Sequence, residues 1–203
     1  MSYEITAEQI EFFRALAARR QDAERLRHTL GVAEAARALA ARHGLDAGAA
    51  EIAALAHDMM KGRPFAEQIA AARAQGLLER PEDEEMPQVL HGRLAAAWLR
   101  QEHAGLPPAI ATAVENHTLG RPGMEPLEML IYSADLTEEG RDFLGLDILR
   151  RKLYDNLVEG TLACMELTMA HLRARGKKIH PLTLAAHEDL QRRPRIGHHQ
   201  GDI

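Results

Sequence analysis

Histidine and aspartate residues recur along this 203-residue chain within segments that otherwise consist largely of alanine and leucine. His57 and Asp58 are adjacent and follow the apolar run AALA, where an ionised carboxylate is costly unless a cation or a metal ion compensates it. The simpler interpretation is that Asp58 caps the next turn and that His57 is a core histidine with a satisfied hydrogen bond. The other residues of this kind in similar surroundings are His28, His91, His117 and Asp135.

Together these four histidines and two aspartates predict a metal centre, because a helical bundle can bring such residues to one point. Imidazole and carboxylate ligands suit Fe, Mn, Co or Zn. Six ligands are too many for one tetrahedral zinc with an open position, but they suit two metal ions that share a carboxylate. Such a pair stabilises the attacking and leaving oxygens of a phosphoryl displacement, and a water between the ions loses a proton near neutral pH.

The elements that must position these residues are predicted to be helices throughout. Aromatic residues make up only 4% of the chain and alanine is abundant, a composition that favours helices over strands. Apolar residues recur at helical spacing, as at Leu26, Leu30 and Ala33, and glycine or proline ends several of the runs. We therefore predict an all-α fold. The predicted helices span 7–20, 24–43, 47–59, 65–75, 88–103, 108–117, 126–137, 146–175 and 181–192.

Two segments are predicted to lie outside these helices. The acidic run at 79–87, ERPEDEEMP, with its charges concentrated at 82–85, is predicted to be a solvated loop, and a lid or partner surface is the alternative. The tail at 194–203 is predicted to be disordered. His180, which precedes Pro181, is predicted to be a helix cap.

The composition excludes several classes of protein. Apolar residues make up 46% and charged residues 27%, as in a globular domain with its own core. A net charge of −5 disfavours nucleic acid as a partner, and the single cysteine, Cys164, cannot form an internal disulfide. The first residues do not look like a signal peptide, and no apolar run approaches the roughly 18 residues that span a membrane. We therefore expect a cytoplasmic protein with no membrane or nucleic-acid partner, and a monomer or homodimer.

The order of these motifs resembles that of the HD-domain metal-dependent phosphohydrolases, and most closely the YqeK family within them. The resemblance covers about 24–187 and is carried by RHTLGVAEAA, AALAHDMMK, VLHG, NHTLGRPGM, LIYSADLTEEGRDF and KKIHPLTLAA. It implies a single compact HD-domain helical bundle over 24–193, with 1–23 as an N-terminal helical extension. It also implies symmetrical hydrolysis of diadenosine tetraphosphate into two ADP by a hydroxide that two metal ions activate.

The resemblance assigns the ligands and the metal. His28, His57, Asp58 and Asp135 would bind one ion. Asp58 would bridge to a second ion, which His91 and His117 complete. The ions would be two divalent or mixed-valence transition metals, with iron favoured and Mn, Co or Zn as alternatives.

Positive side chains flank these motifs and suit a polyphosphate substrate in a net-acidic protein. Asp58, Lys61 and Arg141 are assigned to catalysis, with Lys61 or an arginine assisting the leaving group. Solvated helix ends are the alternative for the cations, and a turn cap is the alternative for Thr118. The residues assigned to substrate binding are Arg25, Lys61, Arg63, Thr118, Arg121 and Arg141.

Two departures from the family pattern bear on the substrate. Family members commonly have an aromatic residue after the first aspartate motif and an aromatic and a proline after the second, whereas this chain has Met59, Leu136 and Glu139 there. Nucleoside preference could therefore differ. The alternative functions are an HD phosphohydrolase acting on another nucleotide, a cyclic dinucleotide or a guanosine polyphosphate, and a non-catalytic nucleotide sensor.

Overall fold

The computed structural model of the protein describes residues 4–193, and every regular element in that range is helical, which confirms the all-α prediction. The predicted disordered tail at 194–203 lies outside the described residues. A single 3-10 turn, Pro87–Val89, joins the fifth and sixth helices. The helices are α1 (Ala7–Arg20), α2 (Ala23–His43), α3 (Ala47–Ala56), α4 (Phe65–Ala74), α5 (Pro81–Glu85), α6 (Leu90–Glu102), α7 (Pro108–Asn116), α8 (Pro126–Thr137), α9 (Leu146–Asp155), α10 (Leu157–Ala174) and α11 (Pro181–Arg192).

Helix ends follow capping signals in the sequence. Asp22 accepts a hydrogen bond from the Arg25 amide at 2.8 Å and starts α2. Gly44 ends that helix with a φ of 66°, a left-handed conformation that glycine adopts without a steric penalty. Asp46 caps α3 in the same way, accepting from the Ala49 amide at 3.0 Å. These caps explain why the start of α3 and the end of α2 agree with the prediction, and why the start of α2 differs from it by one residue.

Helix α3 lies at the centre of the bundle and is buried from Ala49 to Ala56. Helices α1, α2, α7 and α8 pack around it, and its alanine side chains allow their backbones to approach closely. The helix ends at Ala56, earlier than predicted, because the next residues form tight turns in which the Met59 amide donates to the Ala56 carbonyl. His57 and Asp58 therefore stand in the interior, on a turn that the surrounding helices enclose.

The predicted helix over 146–175 is wrong, since the chain breaks at Asn156. This residue has extended backbone angles (φ −151°, ψ 116°), and its side chain accepts from the Glu159 amide at 3.1 Å to start α10. A Cβ on Gly160 would lie 2.5 Å from the Leu153 Cα, so this glycine lets the start of α10 pack against α9. The apolar stripe continues across the break, so apolar periodicity alone predicts one continuous helix over this segment.

The predicted loop at 79–87 is also wrong, because residues Pro81–Glu85 form a short helix. Proline occupies its first position, and Asp83 accepts hydrogen bonds from the Glu79 and Arg80 amides at 2.8 and 2.9 Å. The Asp83 side chain is fully buried, so one of the five acids of this run is anchored in the interior.

The predicted cap at His180 is confirmed, since its Nδ1 accepts from the Leu182 amide at 3.1 Å. Within residues 4–193 no helix combines the length and the apolar character that crossing a membrane requires. The division into an extension at 1–23 and a domain at 24–193 stays a prediction; helix α1 packs on α3 and buries Phe13 and Leu16.

Candidate metal centre

The six residues that the sequence singled out converge in the structure. His28 lies on α2, His57 and Asp58 follow α3, and Asp135 lies near the end of α8. His91 is the second residue of α6, and His117 directly follows α7. Their ligand atoms form three groups, in each of which all atoms lie within 4.8 Å of one another. These groups are His28, His57 and Asp58; His57, His117 and Asp135; and Asp58, His91 and His117.

The Asp58 carboxylate lies between two halves of this cluster, one with His28 and His57 and the other with His91 and His117. Its Oδ1 lies 3.1 Å from the His91 Nε2 and 3.8 Å from the His117 Nε2. Its Oδ2 lies 3.5 Å from the His57 Nε2 and 3.9 Å from the His28 Nε2. One oxygen therefore faces each half, which is the orientation that a carboxylate bridging two ions requires. Asp135 completes the His28 half, with its Oδ1 3.0 Å from the His28 Nε2.

Three of the four histidines are oriented by the backbone carbonyl three residues earlier. Because a carbonyl only accepts, the Nδ1 of each ring carries a proton and the Nε2 faces the centre. The distances from Nδ1 to the carbonyl oxygen are 2.6 Å for His57 with Ala54, 2.9 Å for His91 with Gln88 and 2.7 Å for His117 with Val114. The His91 and His117 Nε2 atoms lie 3.2 Å apart, so either a proton or a metal ion between them must offset the repulsion of their lone pairs.

The fourth histidine is oriented by Glu138, a residue to which the sequence analysis gave no role. Its Oε1 lies 3.2 Å from the His28 Nδ1, its Oε2 accepts from the Gly140 amide, and it is 4% exposed. Helix α2 approaches it at Gly31, where a Cβ would lie 2.5 Å from the Glu138 Oε2. The sequence signal that could have identified Glu138 is its position three residues after Asp135, within the segment that the resemblance covers.

The donor set fits metal ions. The His28 Nε2, the His57 Nε2 and the Asp58 Oδ1 are buried and make no hydrogen bond with any described residue, although each faces the cluster. Burial, with repulsion from His57 and His91, lowers the pKa of His117 to about 3, so its ring is neutral at pH 7. Burial acts to raise the pKa of Asp58, but the positive charge of protonated His57, hydrogen bonds from His57 and His91 and the Lys61 ammonium outweigh it, so the pKa is lowered and the carboxyl stays ionised. The neutral His117 imidazole and the ionised Asp58 carboxylate are in the protonation states that bind metal.

A cationic cleft of about 860 Å³ opens beside the His28 half of the cluster. Arg25 and Lys61 line it and contact the Asp58 Oδ2 at 2.7 and 3.1 Å. Arg141 lines it from the other side and donates to the Asp135 Oδ1 at 3.1 Å. Three of the predicted cations are therefore brought to the edge of the candidate metal centre.

The remaining three predicted substrate-binding residues do not line this cleft. Arg121 forms a bidentate ion pair with the buried Glu128. Its Nε donates to the Glu128 Oε1 at 2.7 Å and its Nη2 donates to the Oε2 at 2.6 Å. The Thr118 hydroxyl donates to the Val89 carbonyl at 3.3 Å, and Arg63 is exposed. Arg121 and Thr118 thus make structural contacts, and substrate binding by these three residues stays a prediction without support from the geometry.

The helical architecture agrees with the comparisons with known proteins. The profile of the HD domain family matches residues 25–151. The chain therefore belongs to the HD domain family, as the resemblance of its motifs indicated.

Within that family, the chain is similar to named hydrolases over most of its length. It is 33% identical over 163 residues to the symmetrical bis(5'-nucleosyl)-tetraphosphatase of Bacillus subtilis (strain 168), covering 80% of this chain and 87% of that protein. The enzyme of the same name from Halalkalibacterium halodurans is 31% identical over 170 residues, covering 82% and 88%.

A solved structure supports the same fold. It is a crystal structure from Clostridium acetobutylicum described as a predicted HD superfamily hydrolase involved in NAD metabolism. It matches with a TM-score of 0.84 and 30% identity, covering 89% of this chain and 96% of that chain.

Proposed function

We propose that this chain is a symmetrical bis(5'-nucleosyl)-tetraphosphatase that hydrolyses diadenosine tetraphosphate to two ADP with two bound metal ions. The observation that carries the proposal is the Asp58 carboxylate, which faces two groups of histidines beside a cationic cleft. The similarity to tetraphosphatases over about four fifths of the chain supports this substrate over other phosphoesters.

The six converging residues would hold the ions. One ion would take His28, His57, Asp58 and Asp135, and the second would take Asp58, His91 and His117. Ions in such sites activate water and stabilise charge on phosphoryl oxygens. The mixture of imidazole and carboxylate suits iron, with Mn, Co or Zn as alternatives.

The cleft cations would hold the phosphate chain. Arg25, Lys61 and Arg141 neutralise the Asp58 and Asp135 carboxylates in the structure. Once these carboxylates coordinate ions, the three side chains can donate to phosphate oxygens instead. Lys61, whose Nζ lies 3.1 Å from the Asp58 Oδ2, would stabilise the charge that develops on the departing ADP.

The test is a product analysis. The protein is purified under low oxygen with its native metal, incubated with diadenosine tetraphosphate, and the products are separated by ion-exchange chromatography. ADP as the sole product supports attack at an inner phosphate. ATP with AMP would contradict the symmetrical cleavage, and no cleavage by a protein with two metals per chain would contradict the substrate.

A further inference from the structure

A buried carboxylate on α5, which does not contact the candidate metal centre, is hydrogen-bonded to α6, to the N-cap residue of α11 and to the residues just before α5. Asp83 accepts from the Arg93 guanidinium at 2.7 Å and from the His180 Nε2 at 3.1 Å, in addition to the Glu79 and Arg80 amides. We call Asp83, Arg93 and His180 the Asp83 bridge. Asp83 is fully buried and its two partners are 5% and 3% exposed. A buried ionised group persists only where such hydrogen bonds satisfy it, so this geometry is strongly specified.

The Asp83 bridge holds the first turn of α6. That helix begins at Leu90 without a side-chain cap, and its second residue is the candidate ligand His91. Arg93 lies two residues beyond His91 and donates both to Asp83 and to the Leu77 carbonyl, at 2.8 Å. The first turn of α6, which carries His91, is therefore joined by Arg93 to two segments outside that helix.

The same bridge reaches the segment that carries His117. His180 starts α11, and in the first turn of that helix the Thr183 hydroxyl donates to the Leu119 carbonyl at 3.0 Å, two residues after His117. Helix α6 also touches the His117 ring directly. A Cβ on Gly92 would lie 3.1 Å from that ring and 3.0 Å from the Val114 carbonyl. Helix α6 is therefore in close van der Waals contact with the end of α7 and with His117.

We propose that the Asp83 bridge positions His91 and His117 for the second metal ion. Asp83 and His180 are then positioning residues, which touch neither the ion nor the substrate. The inference rests on the proposed two-metal function. It also separates the buried acid of the run at 82–85 from its exposed neighbours. Asp83 would position metal ligands, whereas Glu84 and Glu85 pair with cations at the surface.

The test compares Asp83→Asn with Glu84→Gln, a matched control on the same short helix whose carboxylate is exposed. Each protein is stripped with a chelator and titrated with Mn²⁺ at a temperature where it is fully folded. Metal per chain and turnover of diadenosine tetraphosphate are both followed. We expect the second Mn²⁺ of Asp83→Asn to bind about ten-fold more weakly, the lower end of the effect found when a direct hydrogen-bond partner of a metal ligand is removed, because Asp83 acts through Arg93. The first Mn²⁺ and the KM should be unchanged, and saturating Mn²⁺ should restore kcat.

His180→Asn keeps the test available if Asp83→Asn does not fold. Asparagine is a good N-cap, so this variant retains the start of α11 while its shorter side chain loses the contact with Asp83. The same selective weakening of the second Mn²⁺ is expected, and wild-type behaviour is expected for Glu84→Gln.

Two results would overturn the inference. One is a lowered melting temperature with a wild-type Mn²⁺ titration, which would make the bridge purely structural. The other is equal weakening of both ions. Failure of the proposed function is separate, because it would show in the wild-type protein as absence of ADP despite two bound ions.

Discussion

Replacing Gly31 with alanine should weaken metal binding while leaving stability nearly unchanged. Gly31 lies on α2 one turn after His28. Glycine inside a helix costs about 0.5–1 kcal/mol relative to alanine, so local helix propensity predicts that Gly31→Ala stabilises the fold. The new Cβ, however, would lie 2.5 Å from the Glu138 Oε2 and 3.3 Å from its Cδ.

The size of the metal effect follows from this contact. The Glu138 carboxylate must retreat by roughly 0.9 Å to reach an ordinary van der Waals separation. Its Oε1 is already 3.2 Å from the His28 Nδ1, at the long end of the hydrogen-bond range, so the retreat breaks that bond. Loss of such a partner weakens metal binding by about 10–100-fold, or about 1.4–2.7 kcal/mol.

Two measurements on the same protein separate these effects. Thermal unfolding in the presence of a chelator should give a melting temperature close to that of the wild type, because the gain in helix propensity offsets the lost hydrogen bond of Glu138. A Mn²⁺ titration, which does not depend on substrate access to the cleft, should show weakened binding. Gly105→Ala is the matched control, because no atom lies within 4 Å of a Cβ there, and it should leave Mn²⁺ binding unchanged.

A double-mutant cycle with Glu138→Gln checks the route of the effect. Both substitutions act through the same hydrogen bond to His28. The Mn²⁺ affinity of the double variant should therefore be close to that of the single variant with the lower Mn²⁺ affinity. Wild-type Mn²⁺ affinity in Gly31→Ala, or effects that add in full, would refute the role of Glu138.

Other substitutions and conditions test the rest of the site and core. Asp58→Ala removes the carboxylate that both halves share, so metal content by mass spectrometry and turnover should both fall to background; wild-type turnover would refute the assignment. Arg141→Ala should raise KM or lower kcat by about ten-fold with metal content unchanged, and loss of metal would show that its role is different. Burial acts to raise the pKa of Asp83, but the Arg93 hydrogen bond and two amides hold it below its ordinary value of 3.8. Its ionised form therefore stabilises the fold above that pH, and the difference in urea unfolding free energy between the wild type and Asp83→Asn should shrink as the pH falls through the lowered pKa. Burial raises the pKa of the Cys164 thiol to about 12, so a thiol reagent near neutral pH should modify it only after unfolding, and rapid labelling of the folded protein would contradict its burial.

The amino-acid sequence by itself determined the helical class, most helix bounds and the identity of the converging residues. Caps such as Asp22 and Gly44 act within one turn of the chain, so their effect can be inferred locally. The ligand types could also be inferred, because imidazole and carboxylate in apolar helices are costly unless something compensates them. The break at Asn156 was missed because the apolar periodicity continues across it.

Only the tertiary structure decided how these residues work together. Neither spacing nor periodicity shows that the two oxygens of Asp58 face different histidines, or that Arg121 is held by Glu128. The partner of His28 is Glu138, which is 110 positions away, and that of Asp83 is His180, which is 97 positions away. Contacts over such separations depend on how the packed helices meet, and side-chain burial, hydrogen bonding and pKa follow from that packing and not from neighbours in the chain.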